Sequence, residues 1–245
     1  MDLSKLHIRR CFNKAAITYD LHSRIQQQAG QTLISLLENI TQQADRIIDL
    51  GCGTGLTSEH LARKMHFKQF YAIDIADQLL IKARQRLRYP GMNVYERDFD
   101  TLNITDGCYD LIFSNMSLQW SNQIEQTLAV LMRLLSANGL LAFSLPLTGT
   151  FNELPALSRN HFLSFEKMCR LLGCNLLLAK TENKRIDFES QYAALTSIKA
   201  SGANYVSGRD QTLHSGLSTE FRPVTSTFTL TYHIGYFIAG KTSHG

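Results

Sequence analysis

Three carboxylates and a run of glycines are the residues whose types and spacing could do chemistry in this sequence. In Ile47-Ile48-Asp49-Leu50-Gly51-Cys52-Gly53-Thr54-Gly55, an apolar segment ends in an acid and gives way to alternating glycines. Backbone without Cβ atoms lets a ligand reach main-chain groups that side chains would shield. Asp49 can then accept from a cationic amino group. Asp74 follows 19 residues after Gly55 at the end of a second apolar segment, where a carboxylate can accept from both hydroxyls of a ribose. Alone, it would read as a helix N-cap. Asp98, followed by Phe99, can accept from an adenine amino group while the ring packs the base; alone, it is a solvated loop acid. The three in order are more specific than any one of them. The residue after Gly55 is Leu56, so the third glycine falls one place early for a nicotinamide-binding turn, which counts against a dehydrogenase.

The elements that must position these residues alternate. Apolar Leu21, Ile25, Ala29, Leu33, Leu36 and Leu37 recur at helical spacing and predict a helix over 21–38. Strands are predicted over 46–50, 69–74, 93–97, 109–115 and 139–145, and helices over 56–65, 76–87 and 123–135, the last stopped by Asn138-Gly139. Strands separated by covering helices imply an α/β fold with a mostly parallel sheet and helices on both faces. Beyond Pro146 the pattern predicts helix over 164–172, an extended piece over 175–180, helix over 189–199 and a final strand over 228–239. In such a sheet the ligand lies at the carboxyl ends of the strands, where late insertions place substrate recognition.

The chain of 245 residues is 44% apolar and 19% charged, which suits one domain with a full core rather than a disordered or membrane-spanning chain. MDLSKLHIRR is basic but lacks a following apolar segment, so a soluble, cytoplasmic protein is expected, with neither membrane nor nucleic acid as partner. A net charge of +4 is a mild bias compatible with an acidic partner. The five cysteines form no CxxC pair and read as reduced, mostly buried thiols.

The glycine turn, the second-strand acid and the later Asp-Phe pair resemble class I S-adenosylmethionine methyltransferases. That resemblance implies a Rossmann-like, seven-stranded sheet with a small substrate-covering insertion. More narrowly, Phe12 to Asp20 (FNKAAITYD), Ser114 to Trp120 (SNMSLQW), Ser197 to Ala203 (SIKASGA), Gly208-Arg209-Asp210 and Leu230 to His233 (LTYH) look like the malonyl-acyl-carrier-protein O-methyltransferases of biotin synthesis, over nearly the whole chain. The resemblance implies a single domain over 1–245, with an N-terminal helical cap (1–40), a cofactor-binding core (41–145), a substrate-covering insertion with late helices (146–226) and a final strand (227–245). It assigns Asp49, Gly51, Cys52, Gly53, Gly55, Asp74, Ile75, Asp98, Phe99 and Asn115 to S-adenosylmethionine, with S-adenosylhomocysteine as product and no metal. Tyr19 is implied to lie over cofactor and substrate. Arg209 and Lys199 are candidates to hold a substrate carboxylate; as a bland alternative, Lys199 is a helix C-terminal cation. The acceptor implied is the free carboxylate of malonyl-acyl-carrier protein, whose methyl ester primes pimeloyl synthesis. Lys82, Arg84, Arg86 and Arg88 could contact an acidic carrier or form a solvated helix face. His233, in a predicted strand, reads as a packed or hydrogen-bonded histidine, and Trp120 as core.

Relative to that family the 149–165 stretch and the connection from Asp210 to Phe228 are short, and Thr54 stands where proline is common. The same cofactor residues would serve a methyltransferase for another small acid or a quinone precursor. They would also serve a cofactor-binding protein without activity.

Overall fold

A computed structural model describes residues 2–103, 105, 107–155, 160–203 and 227–241. Strands β1 (Arg46–Leu50), β2 (Gln69–Asp74), β3 (Met92–Glu96), β4 (Tyr109–Asn115), β5 (Leu135–Pro146), β6 (Leu176–Phe188) and β7 (Phe228–Gly240) form one sheet in the order β3-β2-β1-β4-β5-β7-β6. All neighbours through β5 run parallel; β7 is antiparallel to both β5 and β6. The order in which strands are added reverses at β1, which lies between β2 and β4, and there the strand ends open a crevice.

Adjacent residues of each inner strand point to opposite faces, and both faces are covered. Ile47, Phe70, Ala72, Leu111 and Phe113 meet α3 (Arg24–Glu38), α4 (Leu56–Lys64), α5 (Asp77–Arg86) and α8 (Gln191–Ala200). Ile48, Leu50, Ile73, Ile112 and Phe143 meet α6 (Ile124–Leu134) and α7 (Phe165–Leu172). Burial on both faces is why these strands read as apolar runs without alternation.

The expected α/β order holds, with four corrections. The N-terminal region, implied to be a helical cap, carries helix α1 (Leu3–Ala15), a single turn, α2 (Tyr19–His22), and then α3. The long helix expected from Leu21 is thus split at Ser23, whose φ and ψ leave the helical region. Asn138-Gly139 does not stop α6, which ends at Leu134; the pair lies within β5, with Asn138 at φ 63°, where the β4 register shifts. The extended piece at 175–180 runs on to Phe188 as an outer strand of the sheet, so these residues build the sheet. Of the cysteines, Cys11 and Cys52 are buried while Cys108 and Cys174 are exposed.

The short stretch after β5 is tied at both ends: Thr148 N and Oγ1 donate to the carbonyls of Leu163 and Phe162. Among the described residues, no helix is long and apolar enough to cross a membrane.

Candidate active site

Parallel pairing sets Leu50 beside Ile73 and Asp74 beside Glu96, so the carboxyl ends of β1 and β2 open together. The turn after β1 is clamped to β2 by Gly51 N and Cys52 N, which both donate to the Ile73 carbonyl. Gly51 and Gly53 lie at φ 72° and 57°. A Cβ on Gly51 would collide with the Ser117 hydroxyl, and one on Gly53 would touch the Tyr19 ring at 3.7 Å. Gly51 therefore lets Ser117 approach the turn closely, and Gly53 leaves room between the turn and the Tyr19 ring. Gly55 has a different job: a Cβ there would press on Leu87 and Ala83 of the α5 region at 3.0 and 3.2 Å, so it serves helix packing rather than the cleft.

Asp74 Oδ2 accepts from Gly53 N (2.9 Å) and Oδ1 from Ala76 N (2.8 Å). The carboxylate thus organises the turn, and each oxygen keeps a lone pair for a ligand hydroxyl. Burial pushes its pKa above the ordinary value, against the pull of the Ala76 and Gly53 N–H groups.

Two hollows meet across these strand ends. One is lined by Asp49, Cys52, Ser23, Gln26, Gln27 and Thr57, the other by Asp74, Ile75, Leu79, Phe99, Trp120 and Lys5; Tyr19, Gly51 and Asn115 line both. The first is polar and holds two acids, Asp20 and Asp49. The second is apolar with one acid near the shared wall. An elongated ligand with an amino-acid end and a nucleoside end fits that division, with its centre under Tyr19. The residues present therefore fit S-adenosylmethionine: Asp49 for its ammonium, Asp74 for its ribose, and Ile75 and Phe99 for its base.

Asp49 is 2% exposed and accepts from Ser58 Oγ at 2.6 Å. Burial lifts its pKa to about 7, the Ser58 hydrogen bond opposes the rise, and Asp74 adds to it. A cationic ammonium beside it favours the carboxylate, so ligand binding lowers this pKa and releases a proton wherever the free site is protonated. Affinity should be level above pH 7 and fall as the pH drops below it, by up to about tenfold per unit, because the site must first lose its proton. Calorimetric titration of S-adenosylhomocysteine from pH 5.5 to 8 reads this, and D49N should flatten the slope. A wild-type affinity that does not change from pH 5.5 to 7 would remove Asp49 from the ammonium site.

Tyr19 is half-buried, and burial followed by the charges of Asp74 and Asp20 pushes its hydroxyl up, keeping it protonated. Phe12 packs between Tyr19 and Trp120, edge-on to the indole at 5.7 Å. Trp120 is therefore a cleft wall rather than simple core. Cys52 lines the first hollow, and burial, then Asp74 and Asp49, hold it as a thiol.

Asn115 lines the cleft, but its Nδ2 donates to the Gln26 carbonyl (2.8 Å) and its Oδ1 accepts from Ser144 (2.8 Å), joining α3 to β5. Asp98 is not itself among the lining of the second hollow but adjoins two residues that are: Phe99, next in the chain, and Lys5, which holds it. Lys199 is exposed in the last turn of α8, away from both hollows, where a cation suits the helix end. Arg209 lies outside the described residues. His233 Nδ1 pairs with the Thr148 carbonyl at 2.9 Å, a structural bond.

Sequence reasoning missed Lys5 and the Gln26-Gln27 pair. The signal for Lys5 was its place on the face Lys5, Ile8, Cys11, Ala15 of α1, which is otherwise apolar. Nothing in the spacing marked Ser23 or Ser117.

The sheet order, with its antiparallel β7, and a cleft shaped for nucleoside and amino acid define an S-adenosylmethionine-dependent methyltransferase. A methyltransferase-domain model matches residues 48–143. Magnesium protoporphyrin IX methyltransferase from Synechocystis PCC 6803, solved with bound S-adenosylmethionine, shares the fold: 16% identity, TM-score 0.56, 97% of each chain. A putative methyltransferase from Bacillus halodurans matches with TM-score 0.62 at 13% identity, over 86% of this chain and 99% of the other. In sequence, malonyl-[acyl-carrier protein] O-methyltransferase 2 of Coxiella burnetii is 39% identical over 97% of this chain and 96% of its own. The enzyme of that name from Methylovorus is 28% identical over 88% of this chain and 78% of its own. The chain belongs to the malonyl-[acyl-carrier protein] O-methyltransferase family.

Proposed function

We propose that this protein esterifies the free carboxylate of malonyl-acyl-carrier protein, the step that primes pimeloyl synthesis for biotin. The observation that carries the reading is the likeness to the Coxiella enzyme along 97% of the chain, joined to a two-part cleft that accommodates the methyl donor. S-adenosylmethionine supplies a sulfonium-bound methyl, which a carboxylate oxygen can take without any proton transfer. A malonyl carboxylate, with a pKa near ~4, is ionised at neutral pH, so the chain needs no general base. Its residues have to align acceptor and methyl and to exclude water. Tyr19, which lines both hollows, is the residue we assign to that task.

The first hollow contains Asp20 and Asp49 and no lysine or arginine among its lining residues. An anionic acceptor needs a cation there, which keeps Arg209 as the proposed carboxylate holder. Transfer of labelled methyl to malonyl-acyl-carrier protein, malonate and malonyl-coenzyme A tests the reading. Selective transfer to the carrier-bound group supports it; transfer only to a free acid points to a small-acid enzyme, and binding without transfer to an inactive relative.

The carrier contact we propose is the surface where the turn after α1 meets α5. Ile17 and Leu21 are 86% and 81% exposed, and Lys82 Nζ donates to the Ile17 carbonyl. The nearby acids already have cations: Asp20 pairs with Arg86, and Asp77 with Arg9. Arg10, Lys14 and Arg84 are exposed and make no ion pair among the described residues, leaving a basic rim around apolar side chains beside the Tyr19 entrance. Acidic carrier domains complement such a surface. K14E/R84E should raise KM for malonyl-acyl-carrier protein by about tenfold or more at low salt, with malonyl-coenzyme A turnover unchanged. Equal effects on both acceptors would move the docking surface elsewhere.

A further inference from the structure

Lys5 is 1% exposed, the most deeply buried cation among the described residues. Its ammonium lies 3.0 Å from Asp98 Oδ1, 2.8 Å from Asp100 Oδ2 and 4.3 Å from the centroid of the Phe99 ring. Asp100 is fixed from its other side: Oδ1 accepts from Thr127 and Oδ2 from Asn122 N. Asp98 Oδ1 accepts from Asp100 N as well, while Oδ2 takes no hydrogen bond from a described residue. Buried lysines are costly unless paired, and this one sits on a cover helix rather than on the sheet that builds the site. It also lines the second hollow beside Ile75 and Phe99, and its charge reaches Asp74.

We infer that Lys5 is a positioning residue for nucleobase selection: it holds Asp98 by one oxygen so that the other accepts the adenine amino group, and it fastens α1 over that end of the cleft. The inference rests on the assignment of Asp98 to the adenine amino group. An ammonium between Asp98 and Asp100 engages one oxygen of each, and so sets the direction of the other Asp98 oxygen. Without it, Asp98 keeps, among the described residues, only the hydrogen bond from Asp100 N, and its second oxygen is no longer fixed toward the base. The amino group then loses its fixed acceptor, and the site tolerates a base with an oxo group in place of the amino group.

The experiment compares binding of S-adenosylhomocysteine and S-inosylhomocysteine, whose base carries that oxo group, by titration calorimetry. Wild type should prefer the adenosyl compound by at least about thirtyfold, K5M by less than about threefold, and K5R, which keeps the charge, by nearly the wild-type ratio. A structural role alone would lower the melting temperature and both affinities together and leave the ratio intact. K5L, which also lacks a donor, is read by the same ratio if K5M does not melt cooperatively. D98A separates the two layers of argument. If D98A loses the preference while K5M, or K5L in its place, keeps it, the Lys5 inference falls and the Asp98 assignment stands. If D98A keeps the preference, the Asp98 assignment falls, and the Lys5 inference with it.

Discussion

Replacing Asp74 by alanine is expected to weaken S-adenosylhomocysteine binding by about a hundredfold to ten-thousandfold, since two charge-assisted hydrogen bonds to ribose hydroxyls are lost at about 1.5–3 kcal/mol each. The loss has a second origin. Asp74 accepts from Gly53 N and Ala76 N, so its removal leaves two backbone donors of the turn without partners at the moment the ligand is bound. D74N separates these contributions. It keeps the shape and one acceptor oxygen, but its NH2 group faces a backbone N–H where an oxygen stood, so it should bind more tightly than D74A and still well below wild type. Calorimetry with the melting temperature of the ligand-free protein reads both. Affinity of D74A within about threefold of wild type would end the ribose assignment.

G51A carries the other large effect, and for a steric reason. At φ 72° an alanine pays about 1–2 kcal/mol of backbone strain, and its Cβ would collide with the side chain of Ser117. Either Ser117, which lines the nucleoside hollow, or the turn itself has to move. Cofactor affinity should fall by about a hundredfold or more, with a lower melting temperature. S117G removes the colliding atoms and leaves only the backbone strain, so G51A/S117G should recover part of what G51A loses. A double-mutant cycle measures that coupling. If G51A binds cofactor as wild type does, or if the cycle is additive, the close approach of Gly51 and Ser117 does not shape the site.

The central strands were legible because both of their faces are buried, which turns them into unbroken apolar runs of strand length between breakers. The glycine turn was legible because positive φ at Gly51 and Gly53, and the close approach of Ser117 to the first, demand residue type directly. Gly55 looked equivalent in the sequence, yet only the packing of α5 separates a glycine that admits ligand from one that admits a helix. The split of the N-terminal region into α1, α2 and α3 was hidden because Ser23 departs from helical geometry without a proline or glycine to mark it. β6 was underestimated because an outer strand alternates polar and apolar residues, and its pairing partner lies far along the chain.

From the sequence alone came the class of fold, the order of its inner elements and the places of Asp49 and Asp74 near the ends of their strands, since local spacing and residue type suffice for a strand, a turn and a terminal acid. Tertiary structure decided which polar groups face the cleft and which are already taken. Asn115 bridges α3 and β5, Lys199 stays in solvent, and Lys5 crosses 93 residues of sequence to reach Asp98. A hydrogen bond or ion pair of that kind depends on the placement of two distant elements, and no local pattern in either one encodes the distance between them.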